Sequence, residues 1–527
     1  MSYKSAKFTY PESPFSWGMV DNSISLFLKD EYSPYLRNAR LDGQATIIRP
    51  WHSLIATLTA GAYPKGIGSY LRASAANDVL VIRHNTSGTQ KLYTMTTAGA
   101  LTSITTAALV ASDNRMIYQN IWDVIYCMNG SDLLGKLNGT TYTTVTASTP
   151  ASFAPAFSVV FGGSHWASGW STNSNKVYKS IADNYEDFTG SGSDSVTFSE
   201  QVTGLSANLE ALFYFTKNSI SVTGVGDITD TAGTITYGTR SLNVKEWAVN
   251  HASIVEAGVA TYFLSSSNKI NKIAKGQNID WFEVLELSER KYNGISEIMS
   301  TLAVDQTDSF GYFLPKENLI KWFVKTKWSL INDICIIYDI GKDKFLVDNN
   351  KYFFDGVFFK GINYTVSMIE PKVYQDEINQ DDEDSWIQFE YWTKEFYISD
   401  PTYKKILWET RTLLDINELQ ALTQEIWIDG GLVDTKTLWI ANYSSAVGWI
   451  GTNAVGMSPV GMSSASLSGT DDDYQEIYIL RTKWNLNVKG KKIQFRYKNS
   501  SLAGKVRLKN ISMLVEPLPW ITNNLTI

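Results

Sequence analysis

The sequence predicts an all-β protein, a β-propeller of about seven blades with an additional C-terminal β-sandwich-like domain. Residues 202–224 show the pattern best: the apolar run 209–215 and the alternating run 220–222 flank the polar cluster Lys217-Asn218-Ser219. This is the pattern of two strands joined by a turn. Similar strand pairs recur roughly every 30 to 50 residues, which is the spacing of propeller blades. With 19% charged and 13% aromatic residues, the composition suits strands and turns better than exposed helices.

We divide the middle of the chain into seven units, each with an apolar strand at its centre. The units are 66–106, 113–146, 154–192, 195–244, 248–276, 299–350 and 351–378. Their central strands are predicted at 79–82, 122–128, 157–161, 212–215, 261–264, 309–314 with 334–338, and 353–359. Blades stacked in this way cover each other's faces and hide their edges. One interval departs from the strand pattern, because Ile295, Ile298, Met299 and Leu302 recur at helical spacing and predict a short helix at the base or rim.

The two ends of the chain are predicted to fall outside the blades. Residues 1–50 form an extended N-terminal arm, and its strand 45–48 is expected to close the propeller by pairing near 353–359. The propeller covers 51–378, and an acidic, turn-rich linker covers 376–385. Residues 379–527 form the sandwich-like domain, which includes a loop of low charge at 446–470. Its alternating strands are predicted at 386–397, 406–414, 423–428, 474–484, 492–497 and 506–515.

Charge and hydropathy exclude some classes of protein. The net charge of −7 makes the chain a poor general binder of nucleic acid, because affinity for phosphates comes from clustered Lys and Arg. No apolar run has the length of a signal peptide core or of a membrane span, so we expect a soluble protein made in a reducing cytoplasm. Cys127 and Cys335 lie in apolar runs and are predicted to be buried free thiols.

No motif in the sequence predicts catalysis, a cofactor or a metal site. Residues 130–137, GSDLLGKL, have the spacing of a phosphate-binding loop. However, Leu137 stands where Ser or Thr is required, and a strand pattern follows instead of a helix, so we interpret the segment as a hairpin turn. His52, His84, His165 and His251 show no ligand spacing, and His165 is interpreted as a packed or surface residue. No nucleophile elbow occurs. We therefore expect that the protein is not an enzyme.

Two further patterns each leave an alternative open. The acidic clusters 381–384 and 471–473 could hold a hard cation, but they lack calcium-loop spacing and are better interpreted as solvated loops. The tryptophans of the C-terminal region could form a sugar-binding stripe, although core positions are the preferred interpretation. These tryptophans are Trp386, Trp392, Trp408, Trp427, Trp439 and Trp484.

Several short motifs, in this order along the chain, resemble the β-propeller structural proteins of bacteriophage tails, the tail nozzle or hub family of short-tailed phages. The motifs are Asn38-Ala39-Arg40 with Asp42-Gly43 and Arg49-Pro50, then 177–188, Gly204-Leu205 with Lys217-Asn218-Ser219-Ile220, 255–273, Tyr403-Lys404-Lys405 and 489–495. The resemblance covers about three quarters of the chain. The long insertions of the largest nozzles are absent from this sequence.

The resemblance implies a structural protein of the virion tail or neck that is assembled in the host cytoplasm. Its expected partners are copies of itself in a homo-oligomeric ring, in the family a hexamer, together with the portal, the adaptor, other tail proteins and the tail fibres. Genome DNA would pass through the ejection channel without tight binding. The alternative is an adsorption protein, a propeller that binds or hydrolyses a host glycan through exposed aromatics and carboxylates.

Overall fold

The computed structural model describes residues 6–9, 33, 35–42, 45–48, 51–61, 63–74, 77–86, 89–110, 112–208, 210–224, 228–231, 234–242, 244–275, 282–289, 294–379, 389–397, 405–416, 420–440, 476–483, 489–490, 492–499 and 506–517. Five strands precede the first blade. They are β1 (Ala6–Thr9), β2 (Tyr35–Arg37), β3 (Ala39–Asp42), β4 (Ala45–Ile48) and β5 (Trp51–Thr57).

Seven antiparallel sheets follow, and the first four each contain four consecutive strands apart from one inserted hairpin. Blade one has β6 (Ile67–Tyr70), β7 (Val79–Thr86), β8 (Thr89–Met95) and β9 (Leu101–Leu109). Blade two has β10 (Ile117–Ile121), β11 (Val124–Met128), β12 (Gly135–Asn138) and β13 (Thr141–Thr144). Blade three has β14 (Phe157–Phe161), β15 (Ser164–Ser168), β16 (Lys176–Lys179) and β17 (Asp194–Thr197). Blade four has β18 (Val202–Ala207), β19 (Ala211–Thr216) and β20 (Ser219–Gly224), then the hairpin β21 (Ile228–Thr231) and β22 (Thr234–Tyr237), then its outer strand β23 (Arg240–Ser241).

The remaining three blades complete the ring. Blade five has β24 (Ile254–Ala257), β25 (Ala260–Leu264), β26 (Ile270–Lys275) and β27 (Phe282–Glu286). The predicted helix is present as α1 (Ser296–Ser300) between blades five and six. Blade six has β28 (Phe310–Leu314), β29 (Leu319–Val324), β30 (Ile334–Asp339) and β31 (Lys344–Asn349). Blade seven has β32 (Phe353–Phe359), β33 (Ile362–Ser367) and β34 (Lys372–Asn379).

The first strand of each blade lies on the inside of a closed ring. β6 contacts β10, and contacts then follow from β10 to β14, β18, β24, β28 and β32, which returns to β6. The predicted propeller is therefore confirmed, with seven blades. Two of the predicted units end too early, because 154–192 omits β17 and 248–276 omits β27. Both missing strands are outer strands of four or five residues that carry polar residues and have few buried positions, so their sequence signal is weak.

A strand from the N-terminal segment closes the ring, but it is not the strand that the sequence indicated. β5 pairs antiparallel with β34 and supplies the fourth, outermost strand of blade seven. The expected latch 45–48 is β4, which pairs with β3 and with a strand near the end of the chain instead. Both segments are short β-rich runs, and Arg49-Pro50 separates them. Local pattern does not show which of the two segments reaches blade seven.

The C-terminal region contains two sheets that pack face to face. Its strands are β35 (Glu390–Trp392), β36 (Phe396–Tyr397), β37 (Lys405–Ile416), β38 (Gln420–Ile428), β39 (Gly431–Ile440), β40 (Glu476–Lys483), β41 (Lys489–Gly490), β42 (Lys492–Asn499) and β43 (Val506–Pro517). One sheet has the order β3-β4-β43-β37-β40, with β1 on β43 and β41 on β37. The other has the order β2-β35-β42-β38-β39. Buried Leu422 and Ile426 of one sheet share a core with Leu508 of the other, which confirms the sandwich-like domain.

The sandwich and the propeller share a continuous sheet. β2 pairs with β31 of blade six on one side and with β35 on the other, which gives one ten-stranded sheet across the junction. Asn38, at φ 53°, reinforces the contact: its N–H donates to the Val347 carbonyl at 2.9 Å, and its side chain accepts from the Asn349 N–H at 2.8 Å. The N-terminal arm is thus part of the domain junction, and the junction is built from backbone pairing.

The first residues of the predicted linker are instead part of blade seven. Asp376 lies in β34 and is fully buried, and Lys321 and Lys351 contact its two carboxylate oxygens at 2.5 and 2.6 Å. Burial alone would raise the pKa of Asp376, but the two ammonium groups hold it well below the usual range. Tyr312 also donates to this carboxylate, at 3.2 Å. The cluster joins blades six and seven beside the closing strand. Residues 380–385 of the predicted linker lie outside the described residues.

Candidate functional site

The strongest candidate for a binding site is a cavity on the axis of the propeller. Its volume is about 320 Å³, and it lies between the inner strands of blades two to five. Inner strands surround such a space because every blade turns its first strand toward the ring axis. The cavity is lined by Ile117, Tyr118, Gln119, Ser158, Val159, Val160, Leu205, Ala207, His251, Ile254 and Glu256. Six of these residues are aliphatic, but Leu205 and Val159 are only 1% and 7% exposed because their side chains pack in the core between blades, so polar groups form much of the cavity surface.

Glu256 is the charged residue of this lining. It lies on β24, its side chain is exposed in the cavity, and protein surrounds the cavity around it. Ser206 Oγ and the Ala207 N–H donate to Glu256 Oε1 at 2.9 and 2.8 Å. The surrounding protein raises the pKa of the Glu256 carboxyl, while these two hydrogen bonds act in the opposite direction. No described cation forms an ion pair with Glu256, and Oε2 accepts no hydrogen bond from any described residue.

His251 lies in the turn that precedes β24 and also borders the cavity. Its ring stacks on Phe157, with centroids 4.8 Å apart, and Nδ1 accepts a hydrogen bond from the Leu205 N–H at 3.3 Å. A ring that accepts at Nδ1 carries its proton on Nε2 when neutral. Burial lowers the pKa of His251 to about 4, so the imidazole is neutral at pH 7. The ring therefore offers a neutral N–H donor beside the cavity.

Ser158, one of the lining residues, forms a buried pair with His165. Ser158 Oγ lies 2.7 Å from His165 Nε2, and His165 Nδ1 lies 3.0 Å from the Tyr185 carbonyl. This order of serine, imidazole and acceptor resembles a nucleophile with its base. However, Ser158 is 2% exposed and His165 is 0% exposed, and the ring packs on Tyr126 and Phe188. The pair joins strands β14 and β15 inside the core, and the interpretation of His165 as a packed residue is confirmed.

The other histidines and the cysteines are also structural. His52 packs edge-on against Phe353 and Tyr374, at centroid distances of 5.4 and 4.8 Å. His84 Nε2 lies 2.8 Å from the Thr59 carbonyl. The structure places none of the four histidines in a metal-binding group, since no cluster of three or more His, Cys, Asp or Glu among the described residues could hold an ion. Cys127 and Cys335 are buried free thiols, as predicted.

The segment with phosphate-loop spacing is a turn between two strands of blade two. It runs from the end of β11 into β12, where Leu137 is buried and pairs with Tyr142. The Asn129 side chain accepts from the Ser131 and Asp132 N–H groups and so uses the donors that a phosphate would need. The hairpin interpretation is confirmed. The acidic clusters 381–384 and 471–473 lie outside the described residues.

Two of the six C-terminal tryptophans lie on the outer face of the sandwich, so the core interpretation is wrong for them. The guanidinium of Arg496 stacks between Trp392 and Trp427, at 3.4 and 3.5 Å from the ring centroids. Their indole N–H groups donate to Glu390 and Glu425. Neighbouring strands place these residues side by side, whereas the sequence shows only alternation. Trp386 and Trp484 lie outside the described residues, as do the side chains of Trp408 and Trp439.

A patch of exposed apolar side chains lies on the face of the propeller where the inner strands begin. We define the apolar patch as Val304, Trp328, Leu330 and Ile369, which are 87%, 81%, 92% and 56% exposed. The segments that carry them are in contact, because the Lys327 N–H donates to the Thr301 carbonyl at 2.9 Å and the Asn332 N–H donates to Met368 Sδ at 3.4 Å. Sequence alone does not reveal such a patch, since its members come from three connections in two blades.

Comparisons with known proteins were made by sequence family, by curated sequence and by structure. No family profile and no curated protein match the chain. Among solved structures, YCF48 from Cyanidioschyzon merolae is 10% identical over 62% of this chain and 98% of its own, with a TM-score of 0.38. PorZ, a surface component of the type-IX secretion system of Porphyromonas gingivalis, is 9% identical over 72% of this chain and 46% of its own, with a TM-score of 0.39. The computationally designed protein Ika8 is 9% identical over 62% of this chain and 99% of its own, with a TM-score of 0.36.

No helix in the described part of the chain has the length and hydropathy needed to cross a membrane.

Proposed function

We propose that the protein is a structural subunit of a bacteriophage tail or neck that assembles into a ring, a nozzle or hub. The ring would continue the DNA channel below the portal and adaptor, retain the genome and anchor fibres. The proposal rests on the sequence motifs named above and on one structural observation, the apolar patch. Four large apolar side chains exposed together on one face are typical of a surface that contacts another protein.

The junction between propeller and sandwich also suits a structural role. A ten-stranded sheet crosses it, and blades five and six and the sandwich share one core. Relative motion of two domains is the usual expectation where an interface is small and polar. Here the two domains are joined by backbone hydrogen bonds and buried apolar contacts, so a load on one is transferred to the other.

The DNA channel of such a ring would lie between subunits and not along the propeller axis. The axial cavity holds about 320 Å³, the volume of a cube with an edge of about 7 Å, whereas the major groove of duplex DNA alone is about 12 Å wide. Arg115, just before β10, donates to the carbonyls of Asp308, Ser309 and Phe354 at 2.6 to 2.8 Å. It thus links the start of blade two to blades six and seven across the end of the axis.

The test is the oligomeric state of the full chain, measured by sedimentation and by electron microscopy. We expect closed rings, and we expect the double variant Trp328→Asp/Leu330→Asp to remain monomeric, because burying two carboxylates at an apolar contact is costly. Trp122→Asp is the matched control, since Trp122 is 79% exposed on the opposite face and lies outside the apolar patch. A wild-type chain that stays monomeric at every concentration, or rings that the double variant leaves intact, would contradict the proposal.

A further inference from the structure

We propose that the sandwich controls the closure of the propeller through a short strap, which consists of β4, β5 and the two residues between them. In the sequence, only Arg49 and Pro50 separate these two strands. The strap holds blade seven closed while β4 stays in its sheet, and it loosens β5 when β4 detaches. It acts within one chain, so it does not depend on the ring assembly proposed above.

One end of the strap is fixed in the sandwich. β4 lies between β3 and β43 in its sheet, and Thr46 and Ile47 pair with Leu508 and Arg507 of β43. A strand that is paired on both sides leaves its sheet only when both ladders break. Because β43 is the last described strand of the chain and also carries β37, the position of β4 depends on the completed sandwich.

The other end of the strap is the outermost strand of blade seven. β5 pairs with β34, and Trp51 lies opposite Asn379 at the end of the pair. The His52 ring packs edge-on against Tyr374 of β34, with centroids 4.8 Å apart. Among the described strands β5 pairs only with β34, so it has a ladder on one side and an open edge on the other. Such a strand separates more easily than a central strand and gains most from a tether.

The paired ends of β5 and β34 both continue into the sandwich. Residues 49–50 connect Trp51 to Ile48 of β4, and residues 380–389 connect Asn379 to Glu390 of β35. Because consecutive Cα atoms are 3.8 Å apart, Trp51 lies within about 11 Å of Ile48. The sandwich therefore keeps the two strands beside each other at a high effective concentration. When β4 leaves its sheet, this contribution is lost although no contact within blade seven has changed.

Lengthening the strap tests this coupling. A flexible insert of about twelve Gly and Ser residues between Arg49 and Pro50 makes the tether about seven times longer, and effective concentration falls roughly as the −3/2 power of length. We expect the hydrogen-exchange protection of the β5–β34 ladder to fall on the order of tenfold, while β15 and β19 keep theirs. The same insert between Lys316 and Glu317, in an exposed turn of blade six, is the matched control and should leave this ladder unchanged.

A substitution in β4 tests the role of the sandwich. Ile47→Pro removes a backbone N–H from a strand that is paired on both sides and should detach β4 from its sheet. We expect a loss of protection on the order of tenfold in the β5–β34 ladder, although residue 47 lies outside blade seven. In the chain with the lengthened strap, the same substitution should cause no further loss, because the tether no longer transmits the position of β4.

A loss confined to the β5–β34 ladder in both variants, without a further loss when they are combined, supports the strap. Unchanged protection in the lengthened chain, or a loss spread equally over all blades, would overturn it. Additive losses would also overturn it, since β4 would then act on blade seven by another route. The lengthened chain keeps every native residue and decides alone where Ile47→Pro fails to fold. Ring assembly is measured separately on the wild-type chain, so failure here leaves the proposed function untouched.

Discussion

His165 gives the stability of the protein a defined pH dependence. Its side chain is fully buried, and burial lowers its pKa from 6.5 to about 4, against the opposing effects of the Tyr185 carbonyl and the charge of Glu186. Between these two pH values the unfolded chain binds a proton that the folded chain does not. The free energy of unfolding therefore rises with pH across this window. The contribution is complete above pH 6.5 and is lost as the pH falls to about 4.

We predict that His165→Gln reduces this pH dependence. A shift of about 2.5 pKa units corresponds to about 3 kcal/mol, and most of it should separate pH 7 from pH 4.5. Urea unfolding at the two pH values should show the wild type losing about 2 to 3 kcal/mol more than the variant. Carboxylates titrate equally in both chains and cancel in the comparison. Equal losses in the two chains would show that His165 is protonated in the folded state.

At the scale of single residues, sequence reasoning succeeded where the environment is local and failed where it is built from distant segments. Cys127 and Cys335 lie in apolar runs, and burial follows from the runs themselves. Asp376 begins the acidic string DEINQDDEDS, yet two lysines from blade six and its border with blade seven hold it in the core. The sequence contained one usable signal for Glu256, which is a charged residue within the inner strand of a blade. The sequence contained no such signal for His251, which borders the same cavity.

The closing strand β5 should determine whether blade seven is stable. It pairs with β34 from Thr57 opposite Lys372 to Trp51 opposite Asn379. A chain that begins at residue 58 leaves blade seven with three strands and exposes the edge of β34. Lost backbone hydrogen bonds of about 1 kcal/mol each, together with lost burial of Ala56, should lower the local free energy of unfolding by on the order of 5 kcal/mol.

Hydrogen exchange in β33 and β34 is the measurement that tests this prediction. Protection should fall by on the order of a thousandfold in the chain that begins at residue 58. The control is a chain that begins at residue 51, which lacks β1 to β4 but retains β5. Equal protection in the two truncated chains would show that another segment closes the ring.

At the scale of elements, alternation located the central strands but not their partners. The three predicted strands 157–161, 212–215 and 261–264 all lie within observed strands, because they are apolar and bounded by turns. The strand β39 was not predicted, although it pairs along its whole length with β38. In its sequence, GLVDTKTLWI, Asp434 and Lys436 interrupt the apolar residues, so the apolar signal is diluted.

The whole molecule is acidic, and we predict that the isolated protein binds duplex DNA weakly. The net charge is −7, and affinity for DNA requires a face that neutralises several phosphates at once. A surface past which a genome slides would gain from repulsion. Filter-binding titrations at low and high salt are the measurement. Sub-micromolar affinity at about 0.15 M salt, falling steeply with added salt, would indicate a DNA clamp instead.

The fold class could be predicted from the sequence because seven similar units repeat, so an error in the bounds of one unit does not change the overall pattern. The docking of the sandwich on blade six could not be predicted from the sequence. It depends on β2, a strand of three residues that lies between two sheets and pairs with blade six through a single residue, Arg37 opposite Val347. A strand this short carries no periodic signal.

Late strands of the chain pair with early strands, and this sets the order in which parts of the fold can form during synthesis. β5 is made early, but its partner β34 leaves the ribosome about 315 residues later, and β1 must wait for β43 at the far end of the chain. At roughly 5 to 20 residues per second, β5 stays unpaired for about 15 to 60 s. During that time the nascent propeller is an open arc with two free edges. Blades one to six can form in sequence as they emerge, the ring can close once β34 (Lys372–Asn379) has emerged, and the sandwich is completed only when β43 (Val506–Pro517) follows.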